Sequence, residues 1–345
     1  MKQEDIQFMS RALQLAKLGK GRVSPNPMVG CVIVHHHKII GEGWHQKAGE
    51  PHAEVMAVRS VKDQEMLKES TVYVTLEPCS HYGKTPPCAD FLVSKQVKRV
   101  IIACTDPNPV VAGKGILKLK DAGVEVIEGI LKEESLALNY AFFTYVNGNR
   151  PLIILKWAQT ADRFVARENF EAKWISSVQS RQLVHKMRSE VDAILVGKNT
   201  VKYDNPSLTT REWAGKSPIR LVIDHNCSLP DDLYVKDQSV LTYIFNLQKN
   251  EQTKNLIWVK LNSNNFIIDL VSFFYAQKIQ SVLVEGGANT IEQFIQLNLW
   301  DEATIFTSSG NFKKGVAAPQ LKGGILVKTS QIENDQVQLW NNNIE

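Results

Sequence analysis

Two α/β domains in one chain are what the sequence predicts, and three observations carry that prediction. Strand-like and helix-like stretches alternate through both halves, the pattern of sheets with helices laid on their faces. An Asn/Gly/Pro cluster at 147–151 stops a helical pattern just before a new strand begins. The length of 345 residues exceeds what one ordinary core organises. The expected division is residues 1–147 and 148–345.

In the first half, Ile6, Met9, Leu13 and Ala16 recur at helical spacing over residues 4–18, and Gly19 and Gly21 end that helix. Residues 29–34 and 39–44 read as strands joined at His35, His36 and His37. Successive strand residues point to opposite faces, so these histidines are expected at a solvated hairpin tip and not round an ion. A helix is expected from His52, a strand at 71–76, a helix opened by Pro86 and Pro87 at 88–93, and a strand at 99–103. A helix at 115–122, a strand at 124–127 and one helix over 132–145 complete this half. The second half restarts with a strand at 152–156 and a helix at 177–188. Strands follow at 193–196, 219–223, 241–245, 256–259 and 281–284, with helices at 266–277 and 288–297. The asparagines at 341–343 read as a frayed tail.

Composition narrows the class. Hydrophobic residues at 43% and charged residues at 22% are those of a soluble globular protein. A net charge of +4 is too small to suggest nucleic acid or a membrane surface as partner. No apolar run reaches spanning length, and Glu4 and Asp5 near the start argue against a secretory signal. Five cysteines, an odd number mostly set in strand-like segments, fit reduced thiols in a cytoplasm.

Chemistry concentrates at His52, Glu54, Cys79 and Cys88. One imidazole and two thiols leave a zinc ion an open position for water, and a carboxylate two residues past the histidine can shuttle that water's proton to a leaving amine. This is the signature of zinc-dependent base deaminases. His-x-Glu alone carries little. Here His52 opens a helix, Cys79 follows a strand and Cys88 opens a second helix, so rigid elements can aim all three at one point.

The motifs around these residues extend the signal. Pro25 to Cys31, Gly41 to His45, Gly49 to Glu54, Val74 to His81, Gly83 to Cys88 and Asp106 to Pro109 together resemble the bifunctional riboflavin-biosynthesis deaminase–reductase family. The resemblance implies a cytidine-deaminase-like three-layer α/β/α first domain, with zinc held by His52, Cys79 and Cys88 and proton transfer by Glu54. It also implies contacts from Asn26, His45, His81, Lys84, Asp106 and Asn108 to a phosphoribosylaminopyrimidine substrate. The second half is similar to the dihydrofolate-reductase-like partner domain, through Lys156, Trp174, Arg188, Thr200, Asp204, Leu208 and Arg211 and the Glu285-Gly286-Gly287 turn.

That likeness implies NADPH near Ala158, Trp174, Thr200, Gly286 and Gly287. Substrate contacts are implied from Arg188, Asp204, Leu208, Arg211 and Glu285, the arginines suiting bidentate phosphate binding. Lys156 and Asp162 are expected to handle the sugar oxygens, and copies of the chain to associate through this domain. The sequence departs from the family at Arg163, which replaces a glycine, at Ala172, which replaces a serine, and over residues 307–315.

Overall fold

The structure, a computed structural model, describes residues 3–82, 86–108, 111–171, 175–262 and 264–342. The chain forms two compact units, Met1–Asn149 and Arg150–Glu345.

The first unit contains α1 (Gln3–Lys17), β1 (Gly30–His35), β2 (Lys38–Trp44), α2 (Ala53–Ser60), β3 (Thr71–Val74) and α3 (Cys88–Ser94). It continues with β4 (Arg99–Ile102), α4 (Lys114–Asp121), β5 (Glu125–Glu128), α5 (Lys132–Leu138) and α6 (Tyr140–Gly148). The sheet order is β2-β1-β3-β4-β5, with β3, β4 and β5 parallel and β1 antiparallel to both neighbours. The two-residue period of a strand produces the layers. Cys31, Ile33, Val72, Val74, Val100 and Ile102 bury against α2, α3 and α4, whereas Val32, Val34, Tyr73 and Ile101 bury against Met9, Ala12 and Leu15 of α1.

Two expectations change in detail. The β1–β2 tip is a two-residue turn in which His36 (φ 44°) and His37 (φ 62°) are both left-handed, the geometry whose twist suits a tight hairpin. The single helix expected over 132–145 breaks at Asn139. The Asn139 side chain is buried, where it accepts the Met28 N–H at 2.7 Å and donates to the Met28 carbonyl at 2.9 Å. A tertiary pairing thus overrides local helical propensity.

The second unit opens with β6 (Leu152–Gln159), β7 (Phe164–Ala166), α7 (Val178–Glu190), β8 (Ala193–Gly197), α8 (Lys198–Asp204) and β9 (Ile219–Ile223). Next come β10 (Thr242–Asn246), β11 (Glu251–Gln252), β12 (Leu256–Lys260), α9 (Phe266–Ala276), β13 (Ser281–Val284) and α10 (Ala288–Gln296). It closes with β14 (Glu302–Thr307), β15 (Val316–Ala317), β16 (Ile325–Ile332) and β17 (Asp335–Asn341). Ten strands form one sheet in the order β11-β12-β10-β9-β8-β13-β6-β14-β17-β16. Alternation again splits its faces. Leu195, Leu221 and Phe245 meet α9 and α10, and Ile194, Val222 and Ile244 meet Val201 of α8, Leu208 and Val235.

The expected frayed tail at 341–343 is corrected for its described residues. Asn341 ends β17, and Asn342 donates its backbone N–H to Asp301 and its side-chain amide to Asn298 and Trp300. Asn343 lies outside the described residues.

Glycine is obligatory where α1 crosses β1, because a Cβ on Gly30 would lie 2.0 Å from the Ala12 carbonyl oxygen. Gly30→Ala is therefore expected to destabilise the first unit by about 2 kcal/mol or more, because the obstruction is backbone and not a side chain that can rotate away. Chemical unfolding of the variant beside the parent chain measures it.

Candidate active sites

In the first unit three donors converge. His52 is the N-cap of α2, Cys79 lies just past β3, and Cys88 opens α3 behind Pro87. His52 Nδ1 lies 3.6 Å from Cys79 Sγ and 3.3 Å from Cys88 Sγ, and the three donor atoms fall within 4.8 Å of one another. Tetrahedral zinc with ordinary Zn–N and Zn–S bonds requires N···S edges of about 3.5 Å, so this donor triangle fits that ion. The Cys88 N–H donates to Cys79 Sγ at 3.3 Å, placing the amide end of α3 on that sulfur. A hydrogen bond from the Cys88 thiol holds the Cys79 thiol low against the opposing effect of burial, with His52 assisting. The same contact and burial push Cys88 up, and the Cys79 bond raises His52. One triangle thus shares protons that a dication would displace.

Glu54, in the first turn of α2, is only 3% exposed, and burial pushes its carboxyl up to about 7, with His52 opposing. His45 packs edge-on to the His52 ring, with centroids 5.4 Å apart. Its Nδ1 donates to the Pro51 carbonyl at 3.2 Å, which leaves Nε2 to accept from Asn26 Nδ2 at 3.0 Å. That tautomer fixes the Asn26 amide. Asp106 accepts the Asn108 N–H at 2.8 Å, and burial pushes the Asp106 carboxyl up to about 6. His81 is exposed on the following loop, its charge acting on Asp106, and Lys84 lies outside the described residues.

In the second unit a cavity of about 1100 Å³ is lined by Lys156, Ala158, Arg188, Thr200, Asp204, Leu208, Arg211, Glu285 and Gly287 among others. Its electrostatic centre is Glu285, at the end of β13. Arg188 donates to both Glu285 oxygens at 2.8 and 2.9 Å, and Lys156 Nζ lies 3.5 Å away. Burial alone would raise Glu285, but the two cations bring it down to about 2. Burial lowers Lys156 despite Glu285. The bidentate fork of Arg188 thus faces a carboxylate of the chain itself, not open space for a phosphate. Arg211 is exposed at the cavity, and its backbone N–H donates to His185 Nδ1 at 3.3 Å.

Six of the expected residues need correcting or placing. Asp162 does not line this cavity: it accepts from Thr160 Oγ1 at 2.6 Å and from the Phe312 and Lys313 amides, so its oxygens tie down a turn. Gly286 does not line it either; a Cβ there would meet Val196 and Gly197 backbone at 2.5 Å, so close strand packing explains the glycine. The Gly287 N–H, expected near NADPH, donates to Thr200 Oγ1 at 2.8 Å. Trp174 and Ala172 lie outside the described residues. Arg163, where the family has glycine, takes a left-handed backbone at φ 62°.

Both units match known proteins of one lineage. Residues 2–104 match the model of the cytidine and deoxycytidylate deaminase zinc-binding region, and residues 151–320 match the RibD C-terminal domain. The riboflavin biosynthesis protein RibD of Aquifex aeolicus is 38% identical over 341 residues, covering 96% of this chain and 95% of that protein. The chain belongs to the RibD family. It is also 37% identical over 322 residues to RibD of Escherichia coli, covering 88% of this chain and 87% of that one. A Thermotoga maritima diaminohydroxyphosphoribosylaminopyrimidine deaminase/5-amino-6-(5-phosphoribosylamino)uracil reductase superposes with a TM-score of 0.91 at 36% identity, covering 98% of this chain and 99% of that one. Acinetobacter baumannii RibD gives 0.88 at 33% identity, with 98% of each chain covered. As a RibD-family member the chain is an enzyme of riboflavin biosynthesis, with a cytidine-deaminase-like first unit and a RibD-type reductase second unit.

Two residues beside these candidate sites escaped the sequence reading. His185 lines the cavity and holds the Arg211 backbone, and its signal was its position one helical turn before Arg188. The other is Glu77, adjacent to Pro78-Cys79, with both oxygens engaged by backbone amides.

The Glu285 carboxyl sits at about 2 in the folded chain against an ordinary 4.5, so its contribution is complete above 4.5 and is lost as the pH falls towards 2. Glu285→Gln leaves two buried cations without their shared anion and is expected to cost about 3 kcal/mol or more at neutral pH. The gap between variant and parent in urea unfolding should close across that acid range. A gap that does not change with pH would refute the assignment.

Proposed function

We propose that the first unit hydrolytically deaminates a phosphoribosylaminopyrimidine and that the second reduces the ribosyl side chain of the product to ribityl with NADPH. The observation that carries the reading is the His52, Cys79 and Cys88 donor triangle with buried Glu54 beside it. When bound, zinc supplies a Lewis acid that makes a water nucleophilic near neutral pH. The chain's own residues do the rest. Glu54 takes a proton from the attacking water and delivers it to the amino group, which leaves as ammonia. The water's other proton ends on the adjoining ring nitrogen, and the amino-bearing ring carbon becomes a carbonyl. A carboxyl held at about 7 by burial is poised for traffic in both directions. Asn26, oriented by His45, reads the ring edge, and Asp106 and Asn108 meet the sugar side.

In the second unit the bound cofactor provides the hydride, and the protein provides position and a proton. Lys156, buried in the cavity and lowered by that burial, is the group suited to protonating the sugar oxygen once its ring opens. Glu285 orients Lys156, and Arg211 remains available to an anionic substrate. Ala158, Thr200 and Gly287 line the same cavity and supply the surface for the cofactor. The departure at Arg163 leaves its backbone conformation in the glycine-like region, which favours a working reductase over an inert scaffold. Self-association through this unit belongs to the reading, because β16 is an edge strand exposing Ile325, Leu326 and Val327.

Glu54→Gln is expected to retain about one zinc per chain while ammonia release falls at least about a hundredfold. Lys156→Met should do the converse, abolishing NADPH oxidation on the deaminated intermediate and leaving ammonia release intact. Near-parental ammonia release from Glu54→Gln would remove Glu54 from its role.

A further inference from the structure

Glu77 is a buried carboxylate without a role in the chemistry above. It is 4% exposed, follows β3 and precedes Pro78-Cys79. Its Oε2 accepts the N–H groups of Asp106 at 3.3 Å and Gly113 at 2.9 Å, and its Oε1 accepts those of Gly115 at 2.9 Å and Ile116 at 3.3 Å. Four amides from two other stretches therefore close on one side chain. One stretch is the loop bearing Asp106 and Asn108. The other is the first turn of α4, which lies so close to the ligand segment that a Cβ on Gly115 would stand 2.0 Å from the Pro78 carbonyl oxygen.

We infer that Glu77 is a positioning residue of the deaminase, setting the distance between the segment that carries Cys79 and the loop that carries Asp106 and Asn108. The inference rests on the functional reading above, which gives that loop to the substrate. A carboxylate is the side chain this junction requires. Each of its oxygens takes two N–H donors, whereas glutamine would offer one oxygen and turn an NH2 group towards amides that also donate. Two buried amides would lose their acceptor, and the Asp106 loop would drift from the metal ligands. The reaction needs both in register, because the ring is attacked on one side while the sugar is held on the other.

The test compares the full-length parent chain with Glu77→Gln and Gly113→Ala. Gly113 has φ 78° with open space around it, so an added methyl clashes with nothing and strains only the backbone that donates to Glu77. Zinc content, ammonia release and NADPH oxidation on the deaminated intermediate are measured on each. Glu77→Gln should raise the deaminase KM about tenfold or more, with kcat within a few-fold, zinc near one per chain and the reductase unchanged. Gly113→Ala should move KM a few-fold the same way, and decides the matter if Glu77→Gln does not fold. Parental KM in the folded variants overturns the inference, as does a fall confined to kcat or a loss fully restored by added zinc. A parent chain that releases no ammonia sinks the functional reading and the inference together; a parent that turns over beside variants of parental KM sinks the inference alone.

Discussion

The Cys88 amide resting on Cys79 Sγ is the contact on which the first unit's chemistry depends. It requires the segment that follows β3 to bring Cys79 back to the first residue of α3, so that a loop and a helix start share one sulfur. His52 at the start of α2 adds a second helix start to the same point. Helix starts carry unpaired amides and partial positive charge, which favour thiolate over thiol. Secondary-structure termini thus do two tasks, aiming ligands and preparing their charge.

Three buried glutamates show how surroundings assign different work to one side chain. Glu54 has burial that outweighs the opposing His52, and is pushed up to about 7. Glu285 has burial with Arg188 and Lys156, and remains a fixed anion that holds a lysine in place. Glu77 has four backbone amides and serves as a knot between segments. Desolvation is common to Glu54 and Glu285; the partner decides the outcome.

Much of this was legible in the sequence, for definable reasons. Unbroken apolar runs marked β1, β3, β4, β8, β9 and β10 because each is buried on both faces. The His52, Cys79 and Cys88 set was legible because ligand chemistry restricts residue types sharply. What stayed hidden depends on tertiary partners or on polar surface. α8 is mostly polar, and β16 carries Lys328, Thr329, Ser330 and Gln331 on an exposed edge, so neither shows a hydrophobic period. The break at Asn139 needs Met28, far away in sequence. The engagement of Arg188 by Glu285 could not be foreseen from an arginine that suits phosphate equally well, nor the knot at Glu77 from a motif that shows only its neighbours.

The two units also differ in when they can be completed during synthesis. In the first, β1 finds β2 within a hairpin and β3 within about forty residues, so its sheet can assemble while translation continues. In the second, β6 is the earliest strand made, yet it lies between β13 and β14, more than a hundred residues downstream. β17, later still, lies inside β16 at that end of the sheet. An emerging chain therefore carries a finished amino-terminal unit ahead of a half-sheet with bare strand edges, a nascent state that invites chaperone capture until the last strands leave the ribosome.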